Sequence, residues 1–133
     1  MRKLLVYIAA PYTHPDPIEN THIAIQAWKK LHDAGIDAIV PHTTLLLHLM
    51  YPSHVEVWYG YDMTILEHCD AVIRLKGASV GADKEIEHAD ECEIPVFKEI
   101  DNMSLDSTIA KIVQHFVLEN EAIAEAIAKN EIG

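Results

Sequence analysis

The stretch CDAVIRLKGASVGADKEIEHADECEIPVF, residues 69–97, admits few folds. The apolar run over 71–75 predicts a buried strand, and residues 76–81 form a loop of small residues. Residues 82–92 carry a helical pattern, and 94–97 predict a second strand. Strand, loop, helix and strand in this order form a parallel βαβ unit. In such a sheet the loop leaving a strand's carboxyl end, with the helix start after it, forms the usual ligand crevice. One carboxylate, Glu85, is expected in the first turn of that helix, just past Ser79 and Gly81.

The remaining segments extend the same pattern. Residues 3–10, KLLVYIAA, are nearly continuously apolar, as a strand covered on both faces requires. Pro11 ends it, and Asp16-Pro17 reads as the N-cap and first position of a helix. The stripe of that helix takes in Ile23, Ala24, Ala27, Trp28 and Leu31, and Gly35 stops it. Residues 36–40 predict a second strand closed by Pro41. A short helix near 45–50 and a longer one starting near Ser53 come next. After Phe97, Ser104 can cap a helix with the stripe Ile109, Ile112, Val113, Phe116 and Val117, and a second helical piece covers 123–127. Short connections between alternating strands and helices imply a doubly wound, flavodoxin-like or Rossmann-like parallel sheet of four to five strands flanked by helices, with C-terminal helices. The whole of 1–133 is expected to be one domain.

Composition removes several functions. A net charge of −11 argues against a nucleic-acid partner, because that affinity rests on neutralising phosphates with Lys and Arg. The apolar runs are too short to cross a bilayer, and the N-terminus suits a core strand better than a signal peptide, so a cytoplasmic protein is expected. Cys69 and Cys92 lack CxxC spacing and read as reduced core thiols. Nine histidines raise the question of a metal. His42, His48 and His54 recur every six residues, matching neither a helix face nor HExxH, and His88 follows Glu85 by three with no third ligand evident. No metal and no cofactor are expected.

Two acids stand out. Acidic residues favour a first helical turn for electrostatic reasons alone, but Asp83 already meets that need. Glu85 shares a stripe with Ala82, Ala89 and Cys92, whereas Lys84, Glu87 and Glu91 take the solvent side. Asp62 falls on the stripe Trp58, Asp62, Ile65, Cys69, where a carboxylate is costly to bury unless paired or working. The loop 77–81 is neither a P-loop nor GxGxxG, yet its backbone N–H groups and the Ser79 hydroxyl can face a ligand.

In chain order stand VYIAAPY, VPH at the end of the second strand, GYDMTILEHCDAVI and SVGADKEIEHADECEIPV. This series resembles the nucleoside 2-deoxyribosyltransferase-like superfamily, which includes the 2′-deoxynucleoside 5′-phosphate N-hydrolases, and within it small bacterial and phage members with a YxAxPY start. The likeness spans roughly residues 3–98. It implies cleavage of an N-glycosidic bond of a nucleoside or nucleotide and at least a homodimer. It also implies Glu85 as nucleophile on the anomeric carbon, Asp62 as the helix acid that assists at the base or positions the nucleophile, and Tyr7 as the residue that orients the nucleophile. Ser79 stands where transferases acting on free nucleosides have Asp and several nucleotide hydrolases have Ser. Substrate contacts are expected at Ser79, Gly81, Ala9, Pro11, Tyr12, His42 and Trp58. No arginine stands at Pro11-Tyr12-Thr13, where the nucleotide hydrolases place one for phosphate. Hydrolysis and transfer share a first half-reaction and stay open at this point, as do two other readings: a module that binds a nucleotide or nucleotide-derived signal intact, and a purely structural oligomer subunit.

Overall fold

A computed structural model describes residues 3–100, 103–117 and 121–132. Four strands, β1 (Leu5–Ala9), β2 (Asp37–Ile39), β3 (Ala71–Arg74) and β4 (Val96–Lys98), pair in parallel in the order β2-β1-β3-β4. Among the described residues six helices accompany them: α1 (Pro17–Asp33), α2 (Leu45–Met50), α3 (Val55–Leu66), α4 (Val80–Glu91), α5 (Leu105–Phe116) and α6 (Glu121–Ile132), with a 3-10 turn over Pro41–Thr44. This is the expected doubly wound α/β fold. No helix among the described residues is long and apolar enough to cross a membrane.

Strand alternation sorts the core into two faces. Val6 and Ile8 of β1 pack with Ala24, Leu31, Ile73, Ile109, Ile112 and Ile123, beneath α1, α5 and α6. Tyr7 and Ala9, one residue out of phase, pack with Leu66, Val72, Ala82, Ile86 and Ala89, beneath α3 and α4. The pairing Tyr7↔Val72 and Ile8↔Ile73 keeps both central strands covered on both sides, which explains the apolar run of β1 and that of β3 up to Arg74. From β1 the chain winds to β2 on one side, while β3 pairs on the other. The carboxyl ends of β1 and β3 therefore flank the crevice where the winding reverses.

Local chemistry sets the element ends. Asp16 caps α1, accepting from the N–H groups of Ile18 and Glu19, and Gly35 ends it at φ 84°. Ser104 caps α5. In α1 the buried residues are Asn20, Ala24, Ala27 and Leu31, while Ile23 and Trp28 of the expected stripe are substantially exposed. Trp28 instead stacks on His32, so a helix with small core residues leaves its bulky ones to the side. The second strand is shorter than its apolar run. The fourth starts at Val96, although Val72 N–H already donates to the Pro95 carbonyl.

Three expectations about α4 need correction. The helix begins at Val80, because the Ser79 side chain accepts the Ala82 N–H at 3.0 Å and so closes the N-terminus two residues earlier than expected. Glu85 consequently lies in the second turn, where complementing the helix dipole accounts for less of its presence. Gly81 is inside the helix, not in a loop. A Cβ there would sit 3.2 Å from the Tyr59 hydroxyl, so the missing side chain lets α3 approach α4. Finally, Cys69 is buried as expected but Cys92 is exposed at the C-cap, and no disulfide joins the two.

Candidate active site

A cavity of about 770 Å³ opens at the carboxyl ends of β1 and β3. Such a volume suits a small organic ligand. Its floor is the start of α4, with Ser79, Gly81 and Glu85. One wall is α3, with Trp58, Tyr59 and Asp62. Pro11, Tyr12 and His42 from the loops after β1 and β2 complete the mouth.

Glu85 and Asp62 come from different helices, 23 positions apart in the chain, and meet across this space. The Glu85 side chain is only 8% exposed. Its Oε2 accepts a hydrogen bond from the Tyr7 phenol, which lies beneath it on β1 and is wholly buried. Burial raises the Glu85 pKa to about 8. The Tyr7 hydrogen bond and the Arg74 guanidinium pull it down, and the Asp62 charge adds to the rise. Asp62 is raised to about 7, by burial. Tyr7 is pushed upward by burial and by both carboxylates, so the phenol keeps its proton and stays a donor. Near neutral pH two acids coupled in this way share about one proton. Asp62 Oδ1 is buried with no hydrogen-bond partner among the described residues. A native buried oxygen of this kind calls for an explanation, and a ligand donor in the cavity supplies one.

His42 is also nearly sealed, at 7% exposed. Its Nε2–H donates to the Pro11 carbonyl at 2.8 Å, leaving Nδ1 as a buried acceptor with no partner among the described residues. Burial lowers its pKa, which keeps the ring neutral. The ring meets Tyr12 edge-on at 5.5 Å. The β1–α1 loop is itself held by buried Asn20, whose amide donates to the carbonyls of Tyr12 and His14 at 3.0 and 2.9 Å. At the far side of the loop pair, Gly77 adopts φ 116° and packs so closely on Pro11 that a Cβ would come within 2.9 Å of its ring.

Of the residues expected from the sequence, Glu85, Asp62, Ser79, Gly81, Pro11, Tyr12, His42 and Trp58 all line the cavity, and Tyr7 contacts it through Glu85. Ala9 does not. It points with Tyr7 into the core beneath α3 and α4, while its neighbours Ile8 and Ala10 reach the cavity. The Ser79 hydroxyl is engaged in capping α4, which restricts what it can offer a ligand.

Two further features of the site appear only in the folded chain. His48 also lines the cavity, and its Nδ1 accepts both the Trp58 indole N–H at 2.9 Å and the Ser53 backbone N–H at 3.2 Å. An Nδ1 that accepts two donors has no proton, so the ring hydrogen sits on Nε2. Arg74, at the end of β3, influences Glu85 while its guanidinium is tied to Asp83 at 3.1 Å and the Gly77 carbonyl at 2.9 Å. Neither feature has a local spacing that could reveal it.

The fold defines a parallel α/β sheet protein with its crevice at a topological switch point. Residues 4–99 match the model of a family described as a domain of unknown function, DUF7768, and the chain belongs to that family. No curated protein matches it. Among solved structures, it is similar to the 2-deoxyribosyltransferase from the psychrotolerant bacterium Bacillus psychrosaccharolyticus, with a TM-score of 0.59 and 19% sequence identity, over 74% of this chain and 77% of that one. At that identity the likeness is one of fold. The chain thus has a distant nucleoside deoxyribosyltransferase-like fold.

Proposed function

We propose that this cavity cleaves the N-glycosidic bond of a nucleoside, with Glu85 as nucleophile and Asp62 as acid. The observation that carries this reading is a buried Glu85 and a half-buried Asp62 with its Oδ1 sealed from solvent, both lining one ligand-sized cavity, with a phenol fixed on Glu85. Burial holds more of the shared proton on Glu85, at about 8 against about 7 for Asp62, and the Tyr7 hydrogen bond works against this; the attacking form is the one in which that proton stands on Asp62. The Glu85 carboxylate attacks the anomeric carbon and the C–N bond breaks. Asp62 delivers its proton to the leaving base nitrogen. A water molecule, or a second base, then displaces the sugar from Glu85 and returns a proton to Asp62. The solved structure of similar fold is a 2-deoxyribosyltransferase, which supports glycosyl transfer from a nucleoside as the reaction class, and water and a second base both stay as acceptors.

The lining carries two acids and, among the described residues, no lysine or arginine. A phosphate dianion next to buried carboxylates meets repulsion with no cation to offset it. The substrate class favoured is therefore the free nucleoside. The test is incubation with a panel of nucleosides and their 5′-monophosphates, with and without an acceptor base. Free base is expected from nucleosides, and at least tenfold less efficiently from monophosphates. Reversible binding with every ligand recovered intact would convert the protein to a binding module.

A further outcome concerns the His48 and Trp58 pair. Trp58→Phe keeps an aromatic wall but removes the donor to His48, so KM is expected to rise about five- to tenfold with kcat changed less than about twofold. Steady-state kinetics separates the two.

Self-association is part of the same proposal. Leu46, Leu49, Met50 and Tyr51, on α2 and just after it, are each at least two-thirds exposed, an apolar patch beside the cavity mouth. The wild-type chain is expected to sediment as a dimer or larger homo-oligomer, and Leu46→Glu with Leu49→Glu to sediment near the 14.9 kDa of one chain.

A further inference from the structure

We propose that Glu67, His88 and Cys92 form a surface site for a borderline-soft divalent cation of the zinc class, tying the C-terminal ends of α3 and α4 together. The site is separate from the cavity and stands whether or not the cavity cleaves nucleosides. His88 and Cys92 are spaced i,i+4 at the end of α4, so both side chains lie on one face of the helix. Glu67 comes from the C-cap of α3. One donor atom from each lies within 4.8 Å of the other two.

The donor chemistry narrows the cation. Thiolate, imidazole and carboxylate together suit zinc and its borderline neighbours, not magnesium or calcium, which prefer oxygen alone. The distances fit as well. The Cys92 Sγ to His88 Nε2 separation is 3.8 Å. Tetrahedral zinc, with bonds of about 2.0–2.1 Å to nitrogen and 2.3 Å to sulfur, places those atoms roughly 3.6 Å apart. His88 Nε2 and Glu67 Oε1 are 2.9 Å apart, hydrogen-bonded, and binding requires that pair to open by about 0.4 Å. The other ring nitrogen, Nδ1, has the Glu91 carboxylate at 3.9 Å, beyond hydrogen-bond reach, so that side chain must move closer before it can orient the imidazole. Glu67 and Cys92 are exposed, so the fourth position is open to water. The net charge of −11 favours capture of a cation.

The helices joined in this way are the two that carry Asp62 and Glu85. A cation between their C-terminal ends would fix how α3 lies against α4, and so the gap between Asp62, in the second half of α3, and Glu85, in the middle of α4. Sequence inspection alone stops at His88 with no third ligand, because Glu67 lies 21 positions away and only the packing of α3 on α4 supplies it.

The test is a titration of the reduced, full-length chain with Co²⁺ without oxygen, followed by displacement with Zn²⁺. The expected result is one equivalent bound, with the visible intensity of tetrahedral cobalt and a near-ultraviolet thiolate-to-cobalt band. The chain has two cysteines, so the thiolate band has two sources to distinguish. Cys92→Ser should abolish it, and Cys69→Ser, at a buried position, should leave it. His88→Ala should weaken Co²⁺ binding about 10- to 100-fold. Saturating Zn²⁺ should raise the Tm of the wild-type chain but not that of Cys92→Ser, which alters an exposed side chain and so keeps the fold. Absence of the thiolate band, its survival in Cys92→Ser, or an equal Tm rise in both proteins would overturn the proposal.

Discussion

Replacing Glu85 with Gln is expected to lower the rate of base release by about 10⁴-fold or more, the usual order for loss of a covalent nucleophile. The amide keeps the size of the side chain and still offers an oxygen to the Tyr7 phenol, so the cavity should retain its shape and the KM should change little. Retained substrate binding with lost turnover is the signature of a residue that acts in the transition state. Tyr7→Phe makes a useful companion. It removes a hydrogen bond that favours the Glu85 carboxylate and should cost about 10²-fold, with the limb of the pH profile near 8 displaced to higher pH. Single-turnover release of free base, followed chromatographically, measures both. Wild-type turnover left intact by Glu85→Gln would remove Glu85 from the mechanism.

The second large effect is on pH. Glu85 is raised to about 8 and Asp62 to about 7, against ordinary values of 4.5 and 3.8. The folded chain therefore holds more protons than the unfolded chain between about pH 4 and pH 8. Where the folded state binds more protons, stability falls as pH rises. The penalty is absent below the unfolded values and fully present above about pH 8. Glu85→Gln cannot ionise, so its stability should fall less over that window. At about pH 9 the variant should exceed wild type by on the order of 2 kcal/mol, with little difference near pH 4. Urea unfolding at the two pH values checks the sign directly. Activity should follow a bell with limbs near 7 and 8, because the attacking state needs one proton on the pair and not two or none. An acid limb near 4, where exposed carboxylates titrate, would show that neither buried group controls the reaction. Gain of stability with loss of activity is the expected trade at a working site.

The two results test different links in the chain from sequence to function. The rate effect tests whether Glu85 does chemistry. The stability effect tests whether the carboxyl is buried, and holds even for a protein that only binds its ligand.

Much of this protein is legible in the residue order, because the signals are local. Asp16-Pro17 and Ser104 mark helix starts by capping chemistry, and Gly35 marks a helix end by its positive φ. The apolar run of β1, and that of β3 up to Arg74, report strands covered on both faces, which implies a parallel sheet before any pairing is known. Asp62 draws notice as a carboxylate in an apolar stripe, and Glu85 as an acid on the inner side of its helix. What the sequence cannot supply is convergence. Whether Asp62 and Glu85 face one another, whether Tyr7 reaches Glu85 across 78 positions, and whether Glu67 meets His88 depend on how α3 and α4 pack on the sheet. Packing also decides the exposure of Trp28 and Cys92, which periodicity places in the core, and turns Ala9, an expected ligand contact, into the hydrophobic layer instead.

 Ala9 lies there because the strand's alternation turns it to the same side as Tyr7. Capping, turns and periodicity act over a few residues and can be read along the chain. Desolvation of a carboxyl, and the meeting of groups from separate helices, arise only once the sheet has brought those helices together.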